Sequence, residues 1–260
     1  MSENKFGRTS GIYLSAENHG GKTVLKDVSF TAPYKIMTPF VRPGGGISVM
    51  PLCASAGIME GDCQEFKIHV GTGADLEMLS QSFEKIHRMK EGKATRNVYA
   101  SVSKNAVLYY YPQPVIPYRD SAFESRMEIH LEDESARFFM LEIITCGRNA
   151  SQERFAYRYF GSGVMIYRGE KLIYRDNTRY IPSRMDMEEL GFYEGFSHVA
   201  NIFLGGVDPG LQEEIWEILE QENECEGGVS RLAGGDLAVR IFGNRAQDLQ
   251  KLAEKIKEIF

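Results

Sequence analysis

Between residues 22 and about 180 the chain keeps a hydrophobic period of two, and no other property of the sequence restricts its fold so strongly. The runs "FKIHV", "LYYYP", "MEIHL" and "VMIYRGEKLIY" alternate apolar with polar residues or concentrate aromatic and β-branched ones, as strands with one buried face do. No longer helical period interrupts them, so crossover helices and a parallel α/β sheet are not expected. Three segments also superpose: "FKIHVGTGADLEML", "VYASVSKNAVLYYY" and "MEIHLEDESARFFM". Their alanines, Ala74, Ala106 and Ala136, stand 32 and 30 residues apart, each after a polar turn and two residues before Leu76, Leu108 or Phe138. The third segment carries one extra turn residue, since the apolar set before its alanine is Met127, Ile129 and Leu131. A strand-turn-strand unit repeating at this interval predicts a two-layered, β-helix-like body of solenoid or sandwich type. An antiparallel meander has the same local pattern and stays open as the alternative.

After Gly206 the period lengthens to that of a helix. "DPGLQEEIWEILEQENE" sets Leu211, Ile215, Ile218 and Leu219 on one stripe behind a Pro-Gly start, which predicts a helix of about three turns. A strand pair follows around Gly234, Gly235 and Asp236, and then "NRAQDLQKLAEKIKEIF" places Leu249, Leu252, Ile256 and Ile259 on one face, with Asn244 as the expected N-cap. The fold expected is therefore mainly β with a small α+β C-terminal part. It forms a single domain over residues 1–260, with a β body in 1–205 and a helix-strand-strand-helix segment in 206–260 packed on it.

Thirty basic against thirty-six acidic residues give a net charge of -6 and no basic tract, which disfavours nucleic acid as a partner. Proteins or cations fit better. No apolar run reaches the roughly 20 residues of a membrane span, and "MSENKFGRTSG" lacks the apolar stretch of a signal peptide. The expectation is a soluble, cytoplasmic protein. Cys53, Cys63, Cys146 and Cys225 contain no Cys-x-x-Cys spacing, so free, buried thiols are expected in place of disulfides or structural zinc.

Several chemistries lack their sequence signals. The stretch "ASAGIMEGD", residues 54–62, has neither the lysine nor the hydroxyl of a phosphate-binding loop. "GTGADL" and "GSGVMI" lack the third small residue and the helix of a dinucleotide site and read as turns. No Gly-x-Ser-x-Gly elbow is present, and His19, His69, His87, His130 and His198 never fall at metal-ligand spacing.

Carboxylates in apolar strand contexts are harder to set aside. Alternation from Phe138 and Met140 puts Glu142 on their face, where a carboxylate must be paired, hydrated or bound to a cation. Asp62 closes the glycine turn, Asp176 follows an apolar strand in "YRDNT", and "SQSFEKIH", residues 80–87, gathers hydroxyls with Glu84, Lys85 and His87. Each has a structural alternative: Asp62 accepting turn amides, Asp176 in an Asx-turn, Glu142 paired with Arg148 or another base. Taken together they suggest a water-filled polar path through a β body.

The strings "TAPYKIMTPF", "AGIMEGD", "SQSFEKIH", "IPYRD", "CGRNASQERF" and "YRDNT" resemble, in order and spacing, the UreD/UreH family of urease accessory proteins, over nearly the whole chain. Asp62 matches the aspartate that this family places along an internal passage, although Glu60 stands where relatives have glycine and the prolines of their turn are missing. Glu142 falls where relatives carry Asp or Glu. Near Asp176 relatives often have Glu-Arg, whereas this chain has Arg175 and Asp176. Lys85 is kept, while Ile86 and His87 replace the usual Tyr and Arg.

The resemblance implies a two-layered β-helical scaffold that is not an enzyme and holds no tightly bound cofactor. It implies binding to a UreF-type accessory protein, through it to a UreG-type GTPase, and to the urease apoenzyme; a dimer of the accessory complex is compatible with it. Nickel ions in transit are implied to pass Asp62, Glu142 and Asp176 on their way to urease, with Glu84 and His87 as further candidates. The competing reading is a prop that opens the apoenzyme while nickel travels elsewhere.

Overall fold

The computed structural model describes residues 9–260. The period-two segments become two stacked sheets. In the first, seven strands lie in the order Lys171–Tyr180, Tyr159–Arg168, Ala122–Leu131, Ala94–Val102, Cys63–Val70, Thr9–His19 and Lys22–Phe30. In the second, Cys225–Arg231, Leu237–Gly243, His198–Gly205, Arg137–Thr145, Val107–Tyr111, Asp75–Leu79, Ile47–Val49 and Phe40–Val41 follow one another. Val115–Pro117 pairs beside Arg137–Thr145 and carries Glu84–Ile86. The architecture is thus mainly β, with two C-terminal helices, α1 (Leu211–Glu220) and α2 (Ala246–Ile259).

Pairing through the middle of both sheets is parallel. It turns antiparallel only at the flanks. A parallel pair needs a long crossover, and here each crossover is a strand of the opposite sheet in place of a helix. The meander alternative therefore fails in the centre of the body.

The alanine repeat marks these crossovers. Asp75 pairs with Val107 and Val107 with Arg137, so Leu76, Leu108 and Phe138 lie side by side. Before the turns, Phe66, Val98 and Met127 are likewise in register. At each turn the alanine amide donates three residues back, from Ala74 to Gly71 O (3.0 Å), Ala106 to Ser103 O (3.1 Å) and Ala136 to Asp133 O (3.2 Å). The three alanines are wholly buried, and a larger side chain there would meet the next layer. Gly73 and Asn105, directly before two of them, take φ of 68° and 55°, a left-handed geometry that glycine and asparagine tolerate best.

The inner faces of the two sheets meet in one apolar core that includes Ile68, Ala100, Ile129, Leu76, Leu108 and Phe138. Burial of each large apolar side chain contributes about 1.5–3 kcal/mol. The outer face of the second sheet, through Phe139, Leu141 and Ile143, is covered by Leu211, Ile215, Leu252 and Ile256 of the helices. Ion pairs fasten the C-terminal elements: Lys257 Nζ lies 2.9 Å from Glu77 Oε1, and Arg168 grips Asp236 through two bonds of 3.0 and 2.7 Å.

Three local expectations change. Arg245, not Asn244, occupies the N-cap of α2, in extended geometry and with no side-chain cap. The Asn244 carbonyl instead accepts from Ser197 Oγ at 3.1 Å. Gly161 and Gly163 lie inside the strand Tyr159–Arg168 and make no turn; at position 161 the glycine leaves room for the Tyr159 ring, with which a Cβ would collide. All four cysteines are free, but only Cys146 and Cys225 are buried.

Candidate functional site

One inward-facing row of the first sheet is polar. Ser10 pairs with Gln64, Gln64 with Arg96, Arg96 with Ser125, Ser125 with Ser162 and Ser162 with Thr178. The row on one side of it is Ile12, Phe66, Val98, Met127 and Val164 and ends in Asp176, and the row on the other side is Ala94, Phe123, Phe160 and Tyr180, with Asp62 two residues before Gln64. A polar stripe therefore crosses six strands, perpendicular to the chain direction, between two mainly apolar rows that carry a carboxylate at opposite ends. Buried polar groups cost free energy unless they find partners, so a row of this length needs polar matter opposite it.

The second sheet supplies it. Glu142, Asn201 and Arg240 are adjacent in register. Ser162 Oγ donates to Glu142 Oε1 at 2.6 Å, and Asn201 Nδ2 lies 3.4 Å from Oε2. Arg240 Nε donates to Asn201 Oδ1 at 2.9 Å, and its Nη2 lies 3.6 Å from Asp176 Oδ2. Burial, opposed by the bonds from Ser162 and Asn201 and reinforced by the charge of Asp176, holds the Glu142 carboxyl above the ordinary glutamate range. Arg148, offered as its partner by sequence proximity, is instead bound to Glu153, with Nε 2.8 Å from Oε2.

Asp62 and Glu84 line a cavity of about 560 Å³, whose wall also includes Ser10, Gln64, Ser80 and Tyr110. A second space of about 30 Å³, enough for a single water, is lined by Glu84, Arg96, Ser125 and Glu142. Arg96 is 5% exposed. Its Nη1 and Nη2 reach Glu84 at 2.5 and 2.7 Å, and its Nε donates to Gln64 Oε1 at 2.9 Å.

The glycine turn serves the fold and the cavity at once. Ile58 is clamped against the neighbouring strand, with its amide on Lys85 O and its carbonyl taking the His87 amide, both at 2.8 Å. Gly57 has φ 151°, and a Cβ there would strike the Lys85 carbonyl. Glu60 accepts the amides of Lys90, Glu91 and Gly92, which hold its carboxyl below the ordinary range. Asp62 does accept a turn amide, from Met59 at 2.7 Å, while facing the cavity. Asp176 accepts the Asn177 amide at 2.8 Å. His87 stands apart: it is half-buried, with Nε2 3.0 Å from Ala56 O and its ring against Tyr118, and it lines neither space.

Asp62 and Glu84 thus share the large cavity, and Glu84 and Glu142 share the small space, whereas Asp176 lines neither and is connected to Glu142 through Arg240 and Asn201. Among the described residues no group of three or more His, Cys, Asp or Glu is placed to hold a metal ion. Carboxylates spaced singly offer a divalent ion one anionic contact at a time, with hydroxyl and amide oxygens between, an arrangement that binds weakly at every point. Arg96, Gln64, Ser125, Ser162, Asn201 and Arg240 escaped the sequence reading. Five of them share the signal of Glu142, a polar residue in phase with a buried apolar face, whereas Arg240 lies in the phase opposite to Leu237, Val239 and Ile241 and carries no such signal.

A family model described as UreD urease accessory protein matches residues 9–260. The chain is 38% identical over 260 residues to the urease accessory protein UreD of Acetivibrio thermocellus, covering 99% of each. It is 34% identical to the urease accessory protein UreH of Helicobacter pylori strain G27, over 92% of this chain and 89% of that one. To the UreD of Actinobacillus pleuropneumoniae serotype 5b it is 30% identical, over 92% of each.

Proposed function

Because this chain belongs to the UreD family of urease accessory proteins, we propose that it passes nickel ions through its polar layer toward the urease active site. Family membership makes its role accessory and not catalytic. The observation that carries the transit reading is the register of Ser10, Gln64, Arg96, Ser125, Ser162 and Thr178, facing Glu142 across the core. A stripe of this kind supplies oxygen ligands without a trap, and the stacked strands on either side supply a rigid wall.

In this reading the paired sheets form a two-layered β-helix, and the C-terminal segment is part of the same domain. The protein works in the cytoplasm as a scaffold, bound to a UreF-type protein, through it to a UreG-type GTPase, and to the urease apoenzyme. Nickel is its cargo. Asp62 and Glu84 receive ions in the large cavity, Glu142 takes them in the middle, and Asp176 stands at the far side. Nothing in the geometry gives His87 a part in this path.

The test is the nickel content of urease produced together with Glu142→Gln or Asp62→Ala variants. Transit along the layer requires urease nickel to fall several-fold while the variants still assemble with their partners. Full nickel loading with both would reject it. One observation favours the rival prop: the Arg96–Glu84 ion pair occupies the layer between the two spaces. A prop, however, has no use for an in-register polar row.

A further inference from the structure

Glu84 is the one carboxylate, among the described residues, that lines both the large cavity and the small space holding Glu142. It is also the one carboxylate of the layer that is gripped at both oxygens by a guanidinium. Arg96 is locked in turn by Gln64 at its Nε and stands 5.2 and 5.6 Å from the ring centres of Phe66 and Phe123. Glu84, Tyr110 and Pro112 line both spaces, and Arg96, held on Glu84, lines the small one, so a cation moving from Asp62 toward Glu142 meets this pair.

We propose that Arg96 and Glu84 form an ion-exchange gate: a divalent cation takes the Glu84 carboxylate only by displacing Arg96, and the return of Arg96 drives the ion on to Glu142. The inference rests on the transit reading above. A doubly charged ion gains about twice the Coulomb attraction of a singly charged guanidinium at equal distance, so it can win the carboxylate where a monovalent ion cannot. The two aromatic faces and the Gln64 amide keep the released guanidinium close, because an arginine over an aromatic face is still stabilised after its carboxylate has gone. With no divalent ion present the layer is shut. Arg96 is therefore a specificity-determining residue that selects by charge, although it is itself a cation in the middle of a cation path.

The proposal is tested by equilibrium dialysis of the purified full chain against Ni²⁺, with K⁺ as the monovalent comparison. Arg96→Gln frees a half-buried carboxylate, and Ni²⁺ affinity is expected to rise at least about tenfold. K⁺ is then expected to compete where it does not in the parent. The gain must vanish in the Arg96→Gln/Glu84→Gln double variant. Should Arg96→Gln fold poorly, Arg96→Lys keeps the charge but loses the two-pronged grip, and a smaller gain in Ni²⁺ affinity is expected. Unchanged Ni²⁺ affinity in whichever variant folds, or a gain that survives loss of the Glu84 charge, overturns the gate. The two levels fail separately. If Glu142→Gln leaves urease fully loaded, nickel transit fails whatever the dialysis gives; if it starves urease while Arg96 variants bind Ni²⁺ no better, only the gate is wrong.

Discussion

Single side chains in this protein act through what burial does to their charge. Glu142 has a carboxyl raised by burial and by Asp176. The folded chain therefore binds its proton more tightly than the unfolded one, and the stability this gives is present at low pH and lost as pH rises through the raised value. Glu142→Gln removes the charge and is expected to raise Tm by a few degrees near neutral pH, with the gap closing as pH falls toward the ordinary glutamate range; a thermal melt series over pH reads this directly. His198 has the opposite sign. Burial, helped by Arg154, pushes its imidazole down to about 4, and its Nδ1 lies 2.7 Å from Ser197 Oγ. Between roughly pH 6.5 and 4 the unfolded chain takes up a proton that the folded chain refuses. Stability should drop across that window by on the order of 3 kcal/mol, and His198→Gln should remove most of the drop in denaturant unfolding at pH 7 and pH 4.5.

At the scale of strands and turns, local pattern and pairing part company. The alanine column was legible because it needs only alternation and a tight turn, and its third member kept its place although the turn before it is one residue longer. Ala106→Leu should accordingly lower unfolding free energy by about 1–3 kcal/mol through overpacking between layers, measured by urea titration. Which strands would be neighbours was not legible, since a strand carries no record of its partner, and parallel pairing here depends on crossovers made by the other sheet. That is also why Glu142 stood out while Arg96 did not. Glu142 interrupts a strongly apolar run, whereas in "ATRNVYASV" Arg96 is in phase with Val98 and Ala100 but stands among polar and small residues, a weaker signal that its register with Gln64 and Ser125 makes plain. Asn244 misled for a different reason: it has the chemistry of a cap, but its carbonyl is taken up by Ser197 one residue before the helix boundary. The Gly234–Gly235 turn was read correctly, yet nothing nearby announced that Asp236 would reach Arg168, 68 residues away in sequence.

For the molecule as a whole, buried ion pairs join parts that apolar packing alone would leave loosely coupled. Arg168 and Asp236 are 7% and 3% exposed at their side chains and tie the first sheet to the C-terminal hairpin. Asp236→Ala leaves the buried Arg168 guanidinium only the exposed Glu134 carboxylate, 3.2 Å from its Nε, and should cost about 3 kcal/mol in a chemical unfolding experiment. The polar row lies in this same frame, between mainly apolar rows of the first sheet. Its residues are modest individually, and the proposed route depends on their alignment across six strands. Ser162 is the narrowest test of that alignment, because its hydroxyl faces Glu142 and a bulky apolar replacement would close the stripe without removing any charge. The decisive measurement is the nickel content per active site of urease matured with Ser162→Leu. Nickel passing through the layer requires a several-fold fall, with the variant still recovered in its accessory complex. Urease that leaves that complex fully loaded would contradict the account.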